Sequence, residues 1–211
     1  MKPLRYALLF CTAATAAFSQ QWEIGAGGGG SFVPSVSVTS PRGAATTGFK
    51  PGLAAGVFVG QNLYKHLSGE IRYTFVQSDL KLSSGGTTAT FSGNTHAIYY
   101  DLLIHTSQRE SRAQLFGAVG GGMKVFRGTG KEAAYQPLSE FGYFTKTQAV
   151  KPMLSVGGGA KFKLSPHMGL RTEVRDFVTP FPKDLIVPAP GAKFGRFLHD
   201  FVPMVGISYE Y

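Results

Sequence analysis

Charged residues in this chain fall in step with a two-residue apolar repeat, and that coincidence restricts the fold more than any other feature. Near residue 70, Ile71, Tyr73 and Phe75 alternate with Glu70, Arg72 and Thr74. Near residue 170, Leu170, Thr172 and Val174 alternate with Arg171, Glu173 and Arg175. At the end of the chain, Phe201, Pro203, Val205, Ile207, Tyr209 and Tyr211 fall on one side, with Val202, Met204, Gly206, Ser208 and Glu210 on the other. Successive side chains of an extended strand point to opposite faces, so each segment is a strand with one greasy and one wetter face. Helical periodicity is weak after the first twenty residues.

The same alternation predicts eight strands, at residues 22–27, 53–60, 70–75, 98–105, 114–125, 154–163, 170–175 and 199–211. Connections alternate between long (34–49, 78–94, 127–148, 179–199) and short (61–67, 106–112, 165–167). The long ones are rich in Ser, Thr, Gly or Pro and read as loops. Glu70, Arg72, Asp101, Lys161, Arg171, Glu173, Arg175 and Glu210 all lie on the side away from the large apolar residues. A soluble sandwich or lipocalin-like barrel would turn such charges outward and grease inward. In a membrane the reverse holds, because Lys or Arg facing lipid at mid-bilayer costs about 2–4 kcal/mol. Periodicity fits either arrangement; charges deep within the strands and the lack of disulfides favour the membrane. The fold expected is all-β, an eight-stranded antiparallel up-and-down transmembrane β-barrel whose charges line the lumen. A spanning sheet leaves no open edge in lipid, which demands closure. After the first twenty residues no apolar stretch of about 18 residues provides a transmembrane helix.

Residues 1–19 read as a signal peptide. Lys2 and Arg5 precede an apolar and small-residue run at 7–17, and Ala17-Phe18-Ser19 offers a cleavage site. Cys11, the one cysteine, raises a lipid-anchored alternative, which Phe10 disfavours because a small residue belongs there. The barrel domain is then 20–211, without cysteine. Losing Lys2 and Arg5 lowers the net charge from +9 to +7, with 19 Lys and Arg against 12 Asp and Glu. For an exported basic chain, the expected partners are outer-membrane lipids and lipopolysaccharide phosphates rather than nucleic acid.

The alternation of 199–211 and its last residue, the Gly-rich Ala113-Gln114-Leu115-Phe116-Gly117-Ala118-Val119-Gly120-Gly121-Gly122, and Gly169-Leu170-Arg171-Thr172-Glu173-Val174-Arg175 together resemble the bacterial outer-membrane barrel family typified by the barrel domain of outer membrane protein A. The resemblance covers nearly all of 20–211, by pattern rather than strict motif. It implies location in the bacterial outer membrane, a closing strand whose Tyr211 is the terminal signal read by the barrel-assembly machinery, and a monomer. It carries over no peptidoglycan-binding role, since no periplasmic domain follows the barrel.

Other motifs are weaker. Gly25 to Gly30 satisfies the spacing G-x-G-x-x-G, but Phe32-Val33-Pro34 follows where a helix belongs, and 46–50 lacks an acid. The glycines read instead as a means of curving a strand and making room for neighbours. His66, His96, His105, His167 and His199 have no His or Cys partner at metal-ligand spacing, so no metal, cofactor or catalytic set is expected. Trp22, Tyr99, Tyr143, Phe144, Tyr209 and Tyr211 are candidates for interfacial girdles. Lys124 and Lys163 face the lumen side, with water expected to reach both. The function expected is a structural or surface-exposed role through the loops, with the lumen plugged by paired charges. The alternatives are a narrow channel for small solutes, or a lipid- or peptide-processing enzyme using residues such as His199 and Asp200.

Overall fold

A computed structural model describes residues 22–107 and 111–211; the expected signal peptide and Cys11 lie outside the described residues. The strands are β1 (Trp22–Ser31), β2 (Val36–Ser40), β3 (Gly43–Phe49), β4 (Gly52–Tyr64), β5 (Leu67–Gln77), β6 (Leu80–Ser84), β7 (Thr87–Phe91), β8 (Gly93–His105), β9 (Ala113–Gly128), β10 (Gly142–Phe144), β11 (Gln148–Lys163), β12 (Met168–Pro180), β13 (Ile186–Pro188), β14 (Lys193–Phe194) and β15 (Phe197–Glu210). Eight of them close a barrel in the order β1-β15-β12-β11-β9-β8-β5-β4, antiparallel at every seam. The strand anticipated at the end of the chain, β15, joins β1 over seven residue pairs and so shuts the sheet.

Alternation holds around the wall. Ile24, Val57, Ile71, Ile98, Leu115, Val119, Leu154, Val174, Val205 and Ile207 are all exposed. A soluble protein rarely bares so continuous an apolar surface; here it forms a belt. On β15 the belt runs from Tyr209 to Phe201. At a rise of about 3.3 Å per residue and a tilt of about 40°, that is roughly 20 Å, close to the ~25 Å band of a spanning barrel. At the turn end of the belt, Tyr209 packs edge-on against Tyr211 and stacks on His167, and exposed Trp22 adjoins them, its carbonyl accepting from the Tyr211 N–H at 3.0 Å.

The long connections are folded, which corrects the expectation of loops. β14-β2-β3-β6-β7 form a five-stranded sheet, and β10 pairs with β13. Their inner faces, with the tops of the barrel strands, make the largest apolar cluster in the molecule. Leu80, Leu82, Phe91, Phe141, Phe144, Leu185 and Ile186 pack there with Phe126 of β9 and Leu198 of β15. β9 and β11 run to 16 residues each, more than the 9–11 that a bilayer needs. The surplus carries the barrel wall into this cap. The β6–β7 hairpin turns on Gly85 and Gly86, with φ of 55° and 82°, the two left-handed residues that a tight two-residue hairpin requires.

The Gly25–Gly30 run lies within β1 and opens no helix. A Cβ on Gly25 would stand 2.4 Å from the Phe58 ring, so glycine there lets Phe58 lie along the inner wall. The cap should unfold separately from the barrel. Leu82→Asp buries a charge in its core, which costs several kcal/mol. We expect trypsin to cut at Arg42 and Lys193 in this variant and not in the parent, while both keep the faster gel mobility of an unheated barrel.

Candidate functional site

The inward-facing residues fill the lumen in layers. In the middle, β5 and β12 face each other across the barrel and contribute alternating signs. Arg171 reaches Glu70 with both terminal nitrogens, at 2.5 and 2.9 Å, and Glu173 with Nε at 2.9 Å. Arg72 donates to Glu70 at 2.7 Å and also bonds Glu173. Arg175 reaches Glu173 at 3.2 Å and Asp101 of β8 at 2.7 Å. Ser155 of β11 donates to Asp101 at 3.3 Å, and Tyr99 accepts from Arg72 at 3.2 Å. Every one of these side chains is buried. Aromatic rings complete the solvation of the guanidinium groups. Arg72 and Arg171 lie 4.8 and 4.6 Å from the centre of Phe58, and Arg171 lies 4.5 Å from that of Phe116.

Further ion pairs lie on either side of this lattice. Toward the short turns, Lys161 of β11 binds Glu23 of β1 at 2.5 Å. Toward the cap, Lys124 of β9 binds Asp200 of β15, which also accepts from Ser31 at 2.5 Å. Between the lattice and that pair lies an apolar layer that includes Tyr99, Met153, Phe177, Val202 and Met204. Tyr99 meets Phe177 edge-on at 5.1 Å.

Seven of the eight charges anticipated for the lumen, Glu70, Arg72, Asp101, Lys161, Arg171, Glu173 and Arg175, take part in these contacts. Glu210 does not join the central lattice: it is half-buried at the turn end, where β15 stops. Lys124, expected in water, is instead buried against Asp200, because β9 continues past it into the cap. Lys163 is exposed at the turn end. Glu23 and Asp200 are lumen charges that the sequence reading did not place there. Their partners are 138 and 76 residues away, although the alternation from Trp22 and Phe201 already put both on the inner face. Tyr99 and Phe144 are no girdle residues: one lines the lumen and the other the cap core. Tyr143 and Tyr211 are exposed.

Among the described residues the ion pairs within the lumen join five acids (Glu23, Glu70, Asp101, Glu173, Asp200) and five bases (Arg72, Lys124, Lys161, Arg171, Arg175), a formally neutral set. Among the described residues, two small cavities border these side chains. The cavity bounded by Phe58, Arg72, Arg171, Glu173 and Met204 is about 10 Å³, room for about one water. A second, at the turn end beside Gln114, Lys161, Ser208 and Glu210, is about 30 Å³.

His199 and Asp200 point to opposite faces of β15. His199 is on the outside, 2.8 Å from Asp176, and Asp200 is inside. Ser68 and His105 touch at 2.8 Å near the turn end. A hydroxyl beside a base is one part of a nucleophile arrangement. Both are buried, however, and His105 Nδ1 meets no third group. Among the described residues no group of three or more His, Cys, Asp or Glu is placed to hold a metal ion.

Comparison with known proteins sets these features in context. A family model described as an outer membrane protein beta-barrel domain matches residues 6–184. Neisserial surface protein A shares the fold at 10% identity, with 90% of this chain and 97% of that one covered and a TM-score of 0.55. The outer membrane protein OprG from Pseudomonas aeruginosa is similar at 12% identity, with coverage of 90% and 95% and a TM-score of 0.58. No curated protein matches the chain in sequence.

Removing one partner from a buried pair strands the other charge, at a cost of about 3–5 kcal/mol. Arg72→Ala and Glu173→Ala should each lower unfolding stability by that order in urea titrations of the refolded barrel. Lys183→Ala, an exposed change in the cap, should stay within about 0.5 kcal/mol of the parent.

Proposed function

Since the chain belongs to the outer membrane protein β-barrel domain family and resides in the bacterial outer membrane, we propose that it works as a closed barrel that carries a folded cap on the cell surface and meets partners through that cap. The lumen carries this reading. Among the described residues ten charges of balanced sign pair within it, an apolar layer lies above the central lattice, and the apolar cap core continues from the inward-facing Phe126 and Leu198. A solute path would need the space these side chains occupy, and an eight-stranded barrel is only wide enough for side chains to fill. Long connections face the exterior and short turns the periplasm in barrels of this kind, so the cap is the part offered to the outside.

Charge supports the same division of labour. The neutral lumen leaves the basic excess at the ends. Segments 32–52, 78–92, 129–147 and 181–197 hold 2, 1, 2 and 3 Lys and Arg, eight in all, against 0, 1, 2 and 1 Asp and Glu, four in all. A cap so biased attracts anionic lipopolysaccharide and other acidic surface material. In this reading residues 1–19 direct export, Tyr211 is read by the barrel-assembly machinery, and the protein is a monomer.

In a planar bilayer the purified protein should give no large, steady conductance. A stable open level, insensitive to Arg72→Ala, would instead make the protein a narrow channel. Orientation is tested separately. A cysteine at Ser139, exposed in the cap, should react with an impermeant thiol reagent on intact cells, and one at Ser165, exposed in a short turn, should not. The opposite labelling would invert the topology.

A further inference from the structure

Arg127 stands on the outer wall of the barrel at the loop end of β9 and is exposed. Its register partners on either side are Asn94 of β8 and Gln148 of β11. Three polar side chains thus form one row across three strands, roughly 10 Å wide at the usual strand spacing of about 4.8 Å. Among the described residues the Arg127 side chain has no ion pair, hydrogen bond or ring contact, unlike that of every Arg of the lumen. The row contains no carboxylate.

The rows beneath it, toward the turn end, are of another character. The first is His96, Val125 and Val150, and the second is Ile98, Met123 and Pro152. His96 is turned sideways into the wall, 2.7 Å from the Tyr73 hydroxyl and against the Phe75 ring. Ile98, Met123 and Val150 are exposed. A permanently charged, fork-shaped donor flanked by two carboxamides therefore sits directly above an apolar surface. Guanidinium geometry suits phosphate oxygens, and each carboxamide adds two donors. A free phosphate would use only the upper row; an amphiphile with its anion uppermost uses both levels. The outward wall of β12 shows the contrast, because there Asp176, bound to His199, puts a carboxylate on the surface.

We infer that the Asn94–Arg127–Gln148 row seats the phosphate of an outer-leaflet lipid whose acyl chains lie over Val125, Val150, Ile98 and Met123. The outer leaflet follows from the proposed orientation, but binding by purified protein does not depend on it. The site therefore stands or falls apart from that reading.

The test uses the full refolded chain in detergent, with bound lipid counted by native mass spectrometry. The probes are a bis-phosphorylated lipid A, the same lipid without its phosphates, and inorganic phosphate. One lost charge-assisted phosphate contact weakens binding about tenfold. Arg127→Gln should therefore bind the phosphorylated lipid about tenfold more weakly than the parent and the dephosphorylated lipid equally. Lys183→Gln, a cap cation outside the row, should match the parent with both. Equal retention of the phosphorylated lipid by Arg127→Gln and the parent would overturn the site. So would an equal loss in Lys183→Gln, which would mean diffuse attraction, or displacement of the lipid by equimolar inorganic phosphate, which would mean a free-anion site.

Discussion

A spanning barrel must put its charges inside, and inside there is almost no water to solvate them. The rest of this structure depends on that constraint. Each buried ion needs opposite charge and hydrogen bonds together, or the desolvation penalty exceeds the Coulombic return. Glu70 meets the demand with contacts from both Arg72 and Arg171, and Glu173 with contacts from Arg72, Arg171 and Arg175. Because β5 and β12 carry these residues and lie across the barrel from each other, the lattice ties opposite walls together. The lumen is filled as a consequence of being solvated by its own side chains.

Closure at the loop end has a different origin. There the inward positions turn from charge to Phe126, Leu198 and Ala149, and the connections fold over them as sheets. Burial in that cluster follows from the hydrophobic effect, whereas the central lattice rests on paired charge. The two are joined by Lys124, Asp200 and Ser31, which draw β9, β15 and β1 together just below the cap. On the outer wall, by contrast, Arg127 forms no ion pair among the described residues, and it is the cation we assign to a lipid phosphate.

Much of this was legible in the sequence. Alternation alone placed Glu70, Arg72, Arg171, Glu173 and Arg175 on one face, and the in/out choice then followed from the cost of charge in lipid. The cap was harder to read. Val36-Ser37-Val38-Thr39 and Leu80-Lys81-Leu82-Ser83 alternate as strands do, and Gly85-Gly86 is a hairpin signal. Yet these runs are short and set among Ser, Thr, Gly and Pro, so the turn-forming composition outweighed them. Pairings such as Lys124–Asp200 were out of reach for another reason: register around a closed barrel depends on shear, which the period of one strand does not contain. Glu210 shows the limit from the other side: its phase is right, but β15 passes the lattice at Met204 and Gly206 and carries Glu210 beyond it to the turn end.

The central claim is that the lattice acts as a coupled unit rather than as a set of tolerated charges. A double-mutant cycle on Glu70 and Arg171, with Glu70→Gln, Arg171→Met and the double variant unfolded in urea, measures that coupling. The account predicts that each single change costs about 3–5 kcal/mol, and that the double variant costs far less than their sum, a coupling of at least about 1.5 kcal/mol. Additive losses would contradict it, for they would mean that the two charges are held independently and the lumen needs no lattice to stay closed.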